Sequence, residues 1–145
     1  MSVIKEVYDV ARTEILAQRQ MNSIKRALAT ESALNRKFLR EVEKNDDIDD
    51  ARRKELLGFL AIDELSAAVK YEIPYEAICQ KTVDKQMIGQ LKVDRTLGYD
   101  LGKLVKSLYL MIAYIKKDFN NPKINLKSKL EFICKYNILL ERMLS

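Results

Sequence analysis

The chain has 145 residues, 48% of them hydrophobic and 32% charged, with a net charge of +5, four glycines, two prolines and no histidine. Without histidine the Ser-His-Asp and Cys-His arrangements lack their base, metalloprotease and HEPN-type motifs fail, and a di-iron bundle lacks its Glu-x-x-His pairs. So little turn material cannot connect many short strands, and the expected class is all-α: a bundle of about five helices in one domain spanning residues 1–145.

The cysteines, Cys79 and Cys134, are neither paired nor in CxxC spacing. Each follows an isoleucine and is read as a small buried apolar residue, which suits a reducing cytoplasm. The N-terminal segment has charges too frequent for a signal-peptide apolar core, and the run Leu108 to Ile115 is much shorter than the roughly 20 residues that cross a bilayer. A soluble protein is expected, with no membrane role, no metal and no cofactor. The charge is uneven: Lys and Arg against Asp and Glu stand at 9 to 6 in residues 1–44, 8 to 12 in 45–100 and 9 to 3 in 101–145. A basic last third facing an acidic middle implies either an anionic partner or two parts of one bundle that attract each other.

From Val3 to Val42 a seven-residue register holds. One column is Val7, Glu14, Met21, Leu28, Asn35 and Val42, and its companion is Val3, Val10, Ala17, Ile24, Glu31 and Phe38. The spacing predicts one long helix over residues 1–44 with a coiled-coil-like seam. Such a helix would span about 60 Å against a radius of gyration of about 15 Å for this length, so it protrudes or finds a partner. The alternative is a break near Ala29 to Ser32, with Thr30 or Ser32 as cap. Glu14, Glu31 and Asn35 are flaws in the seam; Asn35 could fix its register.

Residues 50–145 are expected to form a four-helix core. The acidic run Asn45 to Asp50 lacks the turn glycine and closing glutamate of a calcium loop, and Asp49 is read instead as a helix cap. A helix over about Asp50 to Glu72 is apolar around much of its circumference and is expected to be central, with Asp63 and Glu64 on its exposed side. Ile73-Pro74 ends it, and the next helix covers about Tyr75 to Gln90. A fourth begins near Asp94, with a stripe of Leu97, Leu101, Leu104, Leu108, Met111, Ile115 and Phe119. Gly98 and Gly102 beside that stripe permit a close helix crossing or weaken its first turns. Asn125 caps the last helix, whose Leu126, Leu130, Ile133, Leu140 and Leu144 face inward.

Two functions follow as expectations. The first is a non-catalytic protein-interaction module, either a self-associating scaffold or an accessory or inhibitory subunit. Its contacts would be Val3, Val7, Val10, Met21, Ile24, Leu28, Phe38 and Val42, unless these are core of the same chain. The second is a nucleic-acid-binding subunit. Lys5, Arg12, Arg19, Arg26 and Arg40 share one heptad column, and with Arg36 they could follow a phosphate backbone, although that column is normally a solvated face. Lys116, Lys117, Lys123, Lys127 and Lys129 crowd the last turn near Tyr114 and Phe119, a pattern that can grip single strands by charge and stacking. The paired carboxylates of Asp63-Glu64 point about 100° apart on a helix and do not form an acid–base pair.

Overall fold

The computed structural model describes residues 2–11 and 18–145, and side chains outside 8–18. Among these residues it is all-α, without a strand. The five helical segments expected from the sequence are present, four of them subdivided. The first is α1 (Val3–Ala11) and α2 (Gln18–Lys44). The second is α3 (Asp50–Phe59) and α4 (Asp63–Lys70). The third is two single turns, α5 (Tyr75–Ile78) and α6 (Lys85–Ile88). The fourth is a 3-10 turn (Asp94–Thr96) followed by α7 (Leu101–Asp118), and the fifth is α8 (Leu126–Leu144).

The helix α2 runs unbroken through Thr30, as the persistence of the register implied, but the expected 42-residue helix is not formed. Its first part, α1, lies back along α2 and α4. The Val3 and Ile4 N–H groups donate to the two oxygens of Glu64, at 2.7 and 3.2 Å, and Glu64 in turn sits beside Glu31 of α2. In one straight helix Val3 and Glu31 would stand about 42 Å apart. Ile4, with 0% exposure, anchors the returning helix in the core. The reason is burial: α1 covers its apolar side on its own chain rather than leaving it to water.

The helix expected over Asp50 to Glu72 is also divided. Asp49 caps α3 as expected, its carboxylate accepting from the Arg52 N–H at 2.9 Å. Leu60 then turns to extended backbone, and Ala61 is held from outside: Asn35 of α2 donates Nδ2–H to the Ala61 carbonyl and accepts from the Ala61 N–H, both at 2.7 Å. The residue preceding α4, Ile62, has no side chain that can cap. Glu31 caps it from α2, one oxygen accepting from the Glu64 N–H and the other from the Leu65 N–H, each at 2.9 Å. Two of the three polar flaws of the apolar seam, Glu31 and Asn35, are therefore the groups that satisfy a helix break in a neighbour, and Glu14 lies outside the described residues. Asn35 does this rather than set a coiled-coil register.

The helix expected over about Tyr75 to Gln90 is replaced by the single turns α5 and α6 joined by irregular chain. Asp84 draws the backbone into α6 by accepting from the Met87 N–H at 2.7 Å, and Gly89, at φ 55°, ends it in a conformation that favours glycine. Val83 pairs with the next turn, its N–H donating to the Tyr99 carbonyl and its carbonyl accepting from Gly98 N–H. Gly98 takes φ 83° there. At Gly102 a Cβ would stand 3.0 Å from the Tyr75 ring, so this glycine admits close packing of Tyr75 on α7. The GxxxG pair thus serves a turn and a crossing. Asp100 caps α7 through the Lys103 N–H at 2.8 Å, and Leu97, expected in the inner stripe, lies before the helix and is 42% exposed.

The central helix is α8, not the helix that begins at Asp50. Its cap is Asn125, accepting from Ser128 N–H at 3.1 Å, and from Tyr136 to Leu140 every residue is buried because α2, α3, α6 and α7 all pack on it. Where α2 crosses α8, the Ser32 hydroxyl and Asn137 amide exchange hydrogen bonds: Ser32 Oγ donates to Asn137 Oδ1 and Asn137 Nδ2 donates to the Ser32 carbonyl, both at 3.1 Å. No helix among the described residues is long and apolar enough to cross a membrane.

Candidate interaction surface

Most of the seam of the first two helices is interior. Ile24, Leu28 and Val42 are buried in the core, Met21 is buried, and Val7 and Phe38 are half-buried against it. Phe38 stacks on Phe59 with ring centroids 5.2 Å apart. Val3 is exposed, and the Val10 side chain lies outside the described residues. The seam is covered by α1, α4 and α8 of the same chain, so its buried members offer no face to a partner in this fold.

The basic residues divide by position. Arg19, Arg26 and Arg40 lie on the solvent face of α2, and Arg12 lies outside the described residues. Arg36 is a cross-link within the bundle: its guanidinium is 3.3 Å from Glu141 of α8 and 3.8 Å from Glu43. Lys116 reaches back to α3, with Nζ 3.5 Å from the Gly58 carbonyl, and partial burial lowers its pKa. Lys117, Lys123, Lys127 and Lys129 are exposed. Of the last four, Lys129 lines a groove between α7 and α8. Phe119 is 37% exposed, which departs from its expected place in the buried stripe.

That groove has a cavity volume of about 650 Å³. Its floor is Met111, Ile115 and Ile133, and its walls carry three large side chains open to solvent: Leu110 (53% exposed), Tyr114 (58%) and Phe132 (39%). Helical spacing produces it. Leu104, Leu108, Ile112 and Ile115 turn one side of α7 into the core, which leaves Lys103, Lys106, Leu110, Tyr114 and Lys117 on the other. Across the groove Lys135 lies over the Phe132 ring at 5.6 Å. Arg95, from the 3-10 turn, lines the groove beside Tyr136; burial is the main influence on that phenol and raises its pKa, against the lowering effect of the Arg95 charge. Among the described residues two cations, Arg95 and Lys129, line the groove and no carboxylate does.

Spacing alone does not reveal this groove: the periodicity of α7 points to its inner stripe, and Tyr114 and Lys129 stand out only as part of the basic cluster around the last turn. The signal was present in Leu110 and Tyr114, two large apolar residues four apart on the side away from that stripe.

Other reactive groups are engaged elsewhere. Glu64, expected to be exposed, is buried and caps α1, whereas Asp63 is exposed. Cys134 is buried, its thiol pushed up to about 11 chiefly by desolvation, and Cys79 is half-buried with Sγ 3.4 Å from the Met143 carbonyl. Among the described residues no group of three or more cysteine or carboxylate side chains could hold a metal ion. A second depression, beside α1, is lined by Val3 and Leu34 but also by Arg26, Asp63 and Glu64, so its charges are mixed. Comparison with protein families, with curated protein sequences and with solved structures returns no match.

Proposed function

We propose that this chain is a non-catalytic protein-interaction module, an accessory subunit that binds a different protein through the groove between α7 and α8. The observation that carries the reading is the cluster of Leu110, Tyr114 and Phe132, three large apolar side chains exposed side by side over an apolar floor. Contiguous apolar surface with a polar rim is what protein recognition uses, and aromatic anchors dominate its energetics. Self-association through this face is disfavoured, since a two-fold contact would gather Lys106, Lys117 and Lys129 of both copies into one interface whose groove carries only positive charge among the described residues. The free thiols suit a reducing compartment such as the cytoplasm.

Nucleic-acid binding is the second reading, favoured by Tyr114 and Phe132 beside lysines. It ranks lower because the apolar floor and Leu110 have no role in base stacking, and because Arg36 and Lys116 are engaged within the bundle. Backbone amide spectra of the labelled protein decide between them. Addition of amphipathic helical peptides of mixed polar charge is expected to shift Leu110, Met111, Tyr114 and Phe132, and a mixed-sequence single-stranded RNA is expected to leave them in place. Peptides that move none of these signals, or RNA that saturates them, would reject the reading.

A further inference from the structure

We infer that the occupant of the α7–α8 groove is an acidic amphipathic helix, its apolar side lying between Leu110, Tyr114 and Phe132 and its carboxylates meeting Arg95 and Lys129. The inference rests on the interaction reading above and adds the chemistry of the partner.

Three observations point to it. The shape is that of a helix site: two antiparallel helices form the walls, and apolar residues recur at one-turn spacing along α7, which an incoming helix matches with residues at i, i+3 or i+4 and i+7. The charge has one sign. Lys129 stands on the first turn of α8 and Arg95 comes from the 3-10 turn, so the two cations reach the groove from separate elements. Lys106 and Lys117 extend the positive edge along α7 beyond both ends of the apolar pair.

The third observation is that, among the described residues, neither Arg95 nor Lys129 forms an ion pair with a carboxylate. The carboxylates nearest in sequence on the two helices are directed elsewhere: Asp118 accepts from Asn121 at 3.1 Å, Glu131 lines a depression on the side of α2, and Glu141 pairs with Arg36. A helix with a basic polar side would bring like charges against Arg95 and Lys129, whereas an acidic one meets both with opposite charge.

The test uses the full chain and two fluorescein-labelled synthetic helices of about 18 residues, a length at which helicity is practical. They share one Leu/Phe apolar face; one has Glu and the other Lys on the polar face. Binding is followed by anisotropy. The acidic peptide is expected to bind at least about tenfold more tightly than the basic one at low salt, and the preference should collapse at ~1 M salt, where the screening length is ~3 Å. Arg95→Glu with Lys129→Glu should erase or invert the preference. Leu110→Asp with Phe132→Asp, at positions 53% and 39% exposed, should abolish binding of either peptide while the helical circular dichroism of the variant stays that of wild type.

Equal affinity for both peptides, lost in the Leu110→Asp/Phe132→Asp variant, overturns the acidic partner and leaves the interaction reading standing. Failure of both peptides to bind overturns the two together. Displacement of the acidic peptide by unlabelled single-stranded RNA, or a dimer mass with the groove blocked to peptide, also overturns the inference.

Discussion

Asn35 gives the sharpest test of the fold, because two readings of one residue predict opposite signs. It occupies a seam position of the first heptad column and is 1% exposed. Were it only a polar residue in an apolar seam, Asn35→Leu would stabilise the protein by about 2 kcal/mol through added apolar burial. In the structure it holds both backbone groups of Ala61 at 2.7 Å. Leucine strands them, at about 2 kcal/mol each for half-buried groups, and the apolar gain of about 2 kcal/mol offsets half, leaving a net loss of ~2 kcal/mol. With a urea slope of about 2 kcal/mol/M, the midpoint followed by far-ultraviolet circular dichroism should fall by about 1 M. A midpoint that rises would refute the clamp. Asn35→Asp refines the test. Its ionised carboxylate cannot donate to the Ala61 carbonyl, but the protonated acid both donates and accepts, so its deficit against wild type should shrink as pH is lowered.

Glu31 is a buried carboxyl whose pKa is raised, above all by desolvation, against the lowering effect of the Glu64 and Leu65 N–H groups. Its contribution to stability is therefore fully present below the ordinary value of 4.5 and is lost as pH rises through the raised one; the stability of wild type relative to Glu31→Gln should decline over that interval in denaturation curves taken across pH. Reversal of the solvent-facing Arg19, Arg26 and Arg40 to glutamate should shift stability by no more than about 0.5 kcal/mol per residue, whereas Arg36→Glu, set against Glu43 and Glu141, should cost distinctly more; thermal melts of the single variants compare them. A thiol reagent should modify half-buried Cys79 before Cys134, whose labelling should proceed only as fast as the protein opens; rapid native labelling of Cys134 in a Cys79→Ala background would contradict its burial and raised pKa.

The all-α class and the caps at Asp49 and Asn125 were legible because they depend on composition and on residues adjacent in sequence. The inner face of α8 was legible for the same reason: Leu126, Leu130, Ile133, Leu140 and Leu144 repeat at helical spacing and are all buried. The division at Leu60–Ala61 was not. Leu60, Ala61 and Ile62 are ordinary helix-compatible residues, and what stabilises the break is supplied by Asn35 and Glu31 from 26 and 33 residues away. The return of α1 was hidden likewise, because a seam that could join two chains is equally suited to folding upon its own. For the candidate surface, spacing identified Lys129 but could not show that Arg95, in a separate turn, lines the same groove.

The relay of caps from α2 to α4 and from α4 to α1 also has a direction in time. Glu31 can hold the start of α4 whether or not α1 is in place, but Glu64 can hold the start of α1 only after α4 has been set. Local opening should therefore be ranked: the Val3 and Ile4 amides exchange with solvent in events that leave Glu64 and Leu65 protected, and every event that frees Leu65 frees Ile4 as well. The start of α4 therefore depends on α2 alone, whereas the start of α1 depends on α4 as well.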